Sequence, residues 1–239
     1  MNTVTSIKIF QAMPENERKI WYVPEGLATE YPIRESEEVC VELFEKISKE
    51  QIPLCLQPED SKSTKMFIRK EVWERIKRAV SYLQKETQGT ATLKITDAFR
   101  PLERQRIYFN ELMRETQEKQ GLEGSELWEY VTQFVADPNR CPPHSTGGAL
   151  DCTVTHVKTG NDYDMGSPMN SASDASFTWD DHIQMTAQKN RQLLYTAMRK
   201  AGCVNLPTEW WHYSYGDQYW AIFEKQKYAL YGSKETVLV

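Results

Sequence analysis

From Lys70 to Glu86 the apolar residues Val72, Trp73, Ile76, Ala79, Val80 and Leu83 recur every three or four positions. That period collects them on one stripe of a helix, wide enough to be a core face. Cys40, Leu43, Phe44 and Ile47 repeat the spacing between Ser36 and Gln51, which predicts a second helix with Ser36 as its N-cap and Pro53 ending the run. The period then changes. Ala91, Leu93 and Ile95 alternate with polar residues, predicting a strand that runs into Asp97-Ala98-Phe99-Arg100-Pro101. Pro101 suits the first turn of a further helix, about Leu102 to Lys119, whose many charges put it on the surface. Another helix is expected after Ser125, with Leu127, Trp128, Val131, Phe134 and Val135 facing inward.

Ala149 to Val157 reads as a strand with Leu150, Cys152 and Val154 on one face and Asp151, Thr153 and Thr155 on the other. Lys158-Thr159-Gly160-Asn161 is a turn signal, and Tyr163-Asp164-Met165 would be the return strand of a hairpin. Ser167 to Asp181 is a long polar loop. His182 to Ala201 is helical, closed by Gly202. Cys203–Leu206 and Trp210–Tyr215 read as two short strands around Pro207-Thr208, and Asp217 to Lys227 as a final amphipathic segment. Near the start only Trp21-Tyr22-Val23 suggests a strand, so residues 1–35 form an arm without a clear period. No repeat or hinge-like composition divides the chain, and residues 1–239 read as a single domain.

The totals narrow the classes. With 40% hydrophobic and 26% charged residues the composition is that of an ordinary globular protein. A net charge of -5 leaves no basic excess for phosphates and argues against nucleic acid as a partner. No segment has the apolar length of a membrane span, and Met1 to Phe10 lacks a secretory pattern. The five cysteines, Cys40, Cys55, Cys141, Cys152 and Cys203, have no CxxC spacing and read as thiols in a reducing compartment, so a cytoplasmic protein is expected.

Two short stretches carry the chemistry: His144-Ser145-Thr146-Gly147-Gly148-Ala149-Leu150-Asp151 and Glu209-Trp210-Trp211-His212. Together they hold two imidazoles and two carboxylates. A catalytic zinc site takes three such protein ligands and leaves a fourth position for water. The expectation is one Zn2+ per chain on His144, Asp151 and His212, with Glu209 as general base. Gly147-Gly148 permits a tight turn between the first two ligands. Glu209 lies three residues before His212, so a helix would put both on one face and a strand on opposite faces. An irregularity near Trp210-Trp211 is therefore expected. Arg100 has two readings: stabilising an oxyanion near the metal, or a structural ion pair with Asp97 among the possible partners. Taken singly, His144 or His212 is more often a satisfied polar residue than a ligand. Their co-occurrence with Gly-Gly, aromatic flanks and the DxFRP string makes the signal specific. His156 and His182 lack that context and are read as non-ligands.

His144 through Asp151 resembles the HxxGxAxD motif of the zinc D-Ala-D-Ala peptidases, with Gly147, Ala149 and Asp151 in register. Glu209 through Tyr213 resembles their ExxH motif, and the EWWHY wording is similar to that of the VanX-type D-alanyl-D-alanine dipeptidases. Leu93 to Pro101 resembles the segment that bears the arginine of that branch, and Met165-Gly166-Ser167 its MG[ST] turn. The resemblance implies an α+β fold of the Hedgehog/D,D-peptidase type, with an antiparallel sheet holding the metal against helices. It implies His144, Asp151 and His212 as ligands, Glu209 as base, Arg100 as transition-state stabiliser, and hydrolysis of a small D,D-dipeptide to free amino acids. Asn170, Ser145, Trp210 and Tyr213 are the candidate substrate contacts. Two positions depart from the pattern: Pro142 stands where the family has serine, and Met169-Asn170 where it has Phe-Asp. Asn170 carries no charge to meet an ammonium, which leaves Asp164 and Asp174 as nearby carboxylates. A peptidoglycan carboxypeptidase of the same superfamily and a non-catalytic zinc-binding module are the alternatives.

Overall fold

A computed structural model describes residues 3–19, 23, 25–58, 65–171 and 173–237. In chain order its elements are α1 (Thr3–Ala12), α2 (Glu15–Arg18), α3 (Glu25–Ala28), β1 (Cys40–Glu42), α4 (Leu43–Glu50), β2 (Cys55–Leu56), β3 (Phe67–Arg69), α5 (Lys70–Glu86), β4 (Ala91–Asp97), α6 (Leu102–Gln120), α7 (Gly124–Val131), β5 (Ala149–His156), α8 (Met185–Lys200), β6 (Val204–Asn205), β7 (His212–Ser214) and α9 (Gln218–Phe223). Single 3₁₀ turns lie at Pro143–Thr146 and Asp174–Ser176. The fold is α+β. Its main sheet has the order β2-β4-β5-β7-β6, antiparallel throughout except for the parallel edge pair β2 and β4. A small second sheet pairs β1 with β3.

The two long stripes read from the sequence make the core. The predicted apolar face of α5, from Val72 to Leu83, is buried as a set. It packs with Leu194, Ala197 and Met198 of α8 against Leu93 and Ile95 of β4, Leu150, Cys152 and Val154 of β5, and Tyr213 of β7. Each leucine- or isoleucine-sized side chain removed from water there contributes about 1.5–3 kcal/mol. The other face of the sheet carries Asp151 and His212.

Several expected elements differ. The stripe from Cys40 to Ile47 is divided: Cys40–Glu42 is strand β1, and α4 begins only at Leu43. Its N-cap is Glu42, not Ser36, because the Glu42 carboxylate accepts from the Phe44 and Glu45 amides. The hairpin after β5 is reduced to one bridge, Thr155 with Asp162, and Tyr163–Met165 is not a strand. The helix after Ser125 stops at Val131, so Phe134 and Val135 lie on a turn. Helix α8 starts at Met185 rather than His182, since Asp180 and Asp181 hold the preceding residues in bends. Trp21 and Tyr22 of the expected early strand lie outside the described residues. The arm itself is partly helical. Phe10, Val23 and Ala28 bury against Ile222 of α9, and the Gln218 amide donates to the carbonyls of Thr29 and Tyr31.

The long polar loop is pinned from behind. Arg191 of α8 is 2% exposed. Its guanidinium donates to the carbonyls of Met165 (2.7 Å), Phe177 (2.6 Å) and Ala175 (2.7 Å), and to Ser167 Oγ (3.2 Å). Four bonds from one rigid fork fix both ends of residues 165–177. Arg191→Met leaves three carbonyls without their donor, that of Met165 buried and those of Ala175 and Phe177 part-buried. It is expected to cost at least about 3 kcal/mol in denaturant unfolding and to expose that loop to limited proteolysis. An unchanged midpoint and cleavage pattern would contradict the clamp.

Candidate active site

Asp151 of β5 and His212 of β7 are direct partners in the antiparallel ladder, so their side chains leave the same face of the sheet. His144 reaches them from the 3₁₀ turn that precedes β5, which Gly147 ends in a left-handed conformation at φ 72°. Gly148 must be glycine for a steric reason, since a Cβ there would lie 2.5 Å from the Tyr215 carbonyl. The turn is stitched to the end of β4. The Arg100 amide donates to the His144 carbonyl (3.2 Å), Ser145 Oγ to the Arg100 carbonyl (2.7 Å), and His144 Nδ1 to the Ala98 carbonyl (2.9 Å). Buried Arg69 holds the turn from the far side, its amide bonded to the Gly147 carbonyl and its Nε to that of Thr146.

Three donor atoms meet at one point. His144 Nε2 lies 3.2 Å from His212 Nδ1 and 3.4 Å from Asp151 Oδ1, and His212 Nδ1 lies 3.1 Å from Asp151 Oδ1. Ligand atoms about 2.0–2.2 Å from a tetrahedral zinc stand about 3.3 Å apart, so this triangle has the size of one face of such a site. The tautomer fits as well. With His144 Nδ1 donating to a carbonyl, the lone pair of its Nε2 faces the other two donors. Two nitrogen donors and a carboxylate oxygen, all buried and mutually close, form a donor set that a single cation matches.

The electrostatics follow from this crowding. Burial pushes the Asp151 carboxyl up, but the charge and hydrogen bonds of His144 and His212 outweigh it and hold Asp151 well below the usual carboxylate range. Burial works against a charged His144, yet Asp151 and Asp97 pull its pKa above the ordinary value. Glu209 shows the reverse. Burial raises it to about 7, with Asp151 adding to the rise and His212 and Arg100 opposing it. A carboxylate tuned near neutrality beside a metal-ligand set is suited to moving protons.

Glu209 and His212 share a side because the chain turns between them. The His212 amide donates to the Glu209 carbonyl (3.2 Å), and β7 begins only at His212. Glu209 Oε2 then stands 3.8 Å from His212 Nδ1. The expected irregularity at Trp210-Trp211 is thus a turn rather than a bulge. Asn205 braces it, its amide donating to the carbonyls of Glu209 (2.9 Å) and His212 (3.0 Å) while Oδ1 accepts from Thr178 (2.6 Å). The Trp210 amide bonds the Ser176 carbonyl, which ties this turn to the loop clamped by Arg191.

Arg100 makes the ion pair of its second reading and also lines the cleft. Its Nε donates to Asp97 Oδ2 (3.0 Å), Nη2 makes a second contact with that oxygen, and Nη1 donates to Gln105 Oε1 (3.0 Å). The ion pair with Asp97 therefore exists, and it holds the guanidinium in the wall of the same cleft as His144, Asp151, Glu209 and His212. The cleft has a volume of about 630 Å³. Asn170 and Asp174 also line it, whereas Asp164 turns away to accept from the Gly166 amide. Three expected substrate contacts are corrected. Ser145 is spent on the Arg100 carbonyl, the Trp210 indole on Ser167 Oγ, and Tyr213 is buried in the core on the opposite face from His212; none lines the cleft. Trp211 does line it. Asn205, Gln105 and Arg191 were not anticipated, because nothing local in sequence distinguishes them from other polar residues. His156 and His182 are exposed and remote from the three donors; His182 instead contacts Asp180 and Asp181.

Residues 58–231 match the family described as D-ala-D-ala dipeptidase. A D-alanyl-D-alanine dipeptidase of Synechocystis sp. is 33% identical over 170 residues, spanning 59% of this chain and 68% of that protein. One from Escherichia coli is 34% identical over 89 residues, or 36% and 46% of the two chains. Among solved structures, a Zn(II) complex of the vancomycin-resistance D,D-pentapeptidase VanY from a VanB-type cassette covers 69% of this chain and 83% of its own, at 17% identity and a TM-score of 0.38.

Removing one corner of the donor triangle is expected to abolish metal retention. After dialysis, His212→Ala should keep less than about a tenth of the wild-type zinc by elemental analysis, because ligand number sets affinity. His182→Ala, at the exposed cluster, should keep all of it. Equal metal in both variants would rule out the triangle as the site.

Proposed function

This chain belongs to the D-ala-D-ala dipeptidase family, and from that premise we propose that it is a zinc metallopeptidase hydrolysing D-alanyl-D-alanine or a related D,D-dipeptide to free amino acids. The observation that carries the reading is the donor triangle of His144, Asp151 and His212, with 3.1–3.4 Å edges and Glu209 beside it. Zinc bound by those three residues supplies a Lewis acid that acidifies water and polarises the scissile carbonyl. Glu209 takes a proton from the attacking water and returns it to the leaving amine nitrogen as the C–N bond breaks. Arg100, immobilised by Asp97 and Gln105, presents a fixed positive charge to the oxygen on which negative charge develops. Trp211 and the clamped loop restrict water around these groups, which strengthens their electrostatics.

Residues 1–239 act in this reading as one domain, with the N-terminal arm packed on α9. Among the described residues no helix is long and apolar enough to cross a membrane. A free dipeptide substrate and five cysteines without paired spacing support a cytoplasmic site of action.

The test is release of free D-alanine from D-Ala-D-Ala and from its acyl-blocked form by the zinc-loaded protein. The free dipeptide is the expected substrate, and activity confined to the blocked form would favour a carboxypeptidase. Glu209→Gln should retain zinc and lose about 10²–10⁴-fold in kcat, the range of a lost general base. Full turnover by that variant would remove Glu209 from the mechanism.

A further inference from the structure

The cleft is much larger than two alanines require. Over its whole length, the donor triangle included, it has a volume of about 630 Å³, whereas D-alanyl-D-alanine, with about eleven non-hydrogen atoms at roughly 20 Å³ each, fills on the order of 200 Å³ in a close-packed site. Beyond Arg100 the lining continues onto α6 and the turn after α7, through Tyr108, Leu112, Phe134 and Val135. This wall has its own core. Phe109, Leu127 and Val131 join α6 to α7, and Leu112 and Val135 pack against them. Gln105 ties the wall to the catalytic arginine. This residue is 2% exposed; it accepts from Arg100 Nη1 (3.0 Å) and donates to the Ala136 carbonyl (2.7 Å). The Tyr108 ring lies 4.9 Å from the Arg100 guanidinium, and Phe134 stacks edge-on against Tyr130 at 5.3 Å. The compartment is therefore fixed and mixed in character: Tyr108, Leu112, Phe134 and Val135 give it apolar patches, and Glu111 and Glu115 of α6 also line it.

We propose that this compartment is a side-chain pocket and that the preferred substrates are D,D-dipeptides in which one residue carries a large apolar side chain, of leucine or phenylalanine size. The inference rests on the peptidase reading of the cleft. A methyl group leaves such a pocket filled with water, whereas a phenyl or isobutyl group displaces that water and rests on Leu112, Phe134 and Val135. The walls come from a helix and a turn, not from a strand edge, so a longer peptide laid there would find no ladder for its amides. Side chain rather than added backbone is the occupant that fits.

The test compares kcat/KM of the zinc-loaded protein for D-Ala-D-Ala, D-Phe-D-Ala, D-Ala-D-Phe, D-Leu-D-Ala, D-Ala-D-Leu and an acetylated L-Lys-D-Ala-D-Ala. At least one bulky dipeptide is expected to exceed D-Ala-D-Ala by about tenfold or more, the scale on which an apolar pocket discriminates. Leu112→Trp, which fills the pocket from α6, should reduce that ratio to within about twofold. Val135→Phe fills it from the turn after α7 and serves if the first variant misfolds. The proposal is overturned if D-Ala-D-Ala is the best substrate, if neither filling variant changes the ratio, or if the acetylated peptide outruns every dipeptide. Calorimetric binding to zinc-loaded Glu209→Gln separates the two levels of inference. Absence of turnover on all six peptides by the wild type, with about tenfold tighter binding of a bulky dipeptide by the variant, would end the peptidase reading and uphold the pocket. Equal binding throughout would end both.

Discussion

The pairing of Asp151 with His212 across β5 and β7 is the constraint on which the site depends. In an antiparallel ladder, directly opposed residues project to the same face, so the two donors converge without any loop having to be ordered for it. A slip of one residue would send one of them into the core, where Leu150, Cys152 and Tyr213 now pack. The apolar face of these strands therefore also determines where the metal ligands point. The hydrophobic core and the candidate metal centre are the two sides of one register.

The third donor and the base are not on strands, and the fold restrains them by buried polar groups. Arg69 holds the turn carrying His144, Arg191 holds the loop from Met165 to Phe177, and Asn205 holds the turn between Glu209 and His212. Each bonds backbone carbonyls, and Arg69 pairs with the Glu35 carboxylate as well. A guanidinium or amide so used fixes chain geometry and leaves no orphaned acceptor behind, which a surface ion pair would not achieve. The base is tuned by the same enclosure: burial near Asp151 raises Glu209 to about 7. Position and proton affinity thus come from one cause, exclusion of water.

Arg100 links the two halves of the cleft. Asp97, at the end of β4 just past an irregularity in its pairing with β5, orients it toward the donor triangle. Gln105 connects it to α6 and, through Ala136, to the turn after α7. The α6–α7 wall has a small core of its own and meets the rest mainly along this line. The sheet side of the cleft carries the groups that would do chemistry, and the helical side offers the surface that would select what is processed.

Much of this was legible along the chain. The stripe from Val72 to Leu83 and the alternation of Ala91, Leu93 and Ile95 are local periods, and a period survives any tertiary context that buries one face. The residue types of the donor set were legible too, because zinc chemistry accepts few side chains and the two motifs concentrate them. Cys40–Glu42 was not recognised as a strand, since its spacing suits a helix equally well and only pairing with β3 decides. The helices of the arm were missed because their partner, α9, lies about two hundred residues away in sequence. Tertiary structure alone decided that Tyr213 is core and Trp211 is lining, that Asp174 rather than Asp164 lines the cleft, and which side chains continue it beyond Arg100. The physical reason is common to all of these. Periodicity and ligand chemistry are properties of neighbouring residues, whereas a polar side chain's partner and a cavity's volume are set by segments that meet only when the chain has folded.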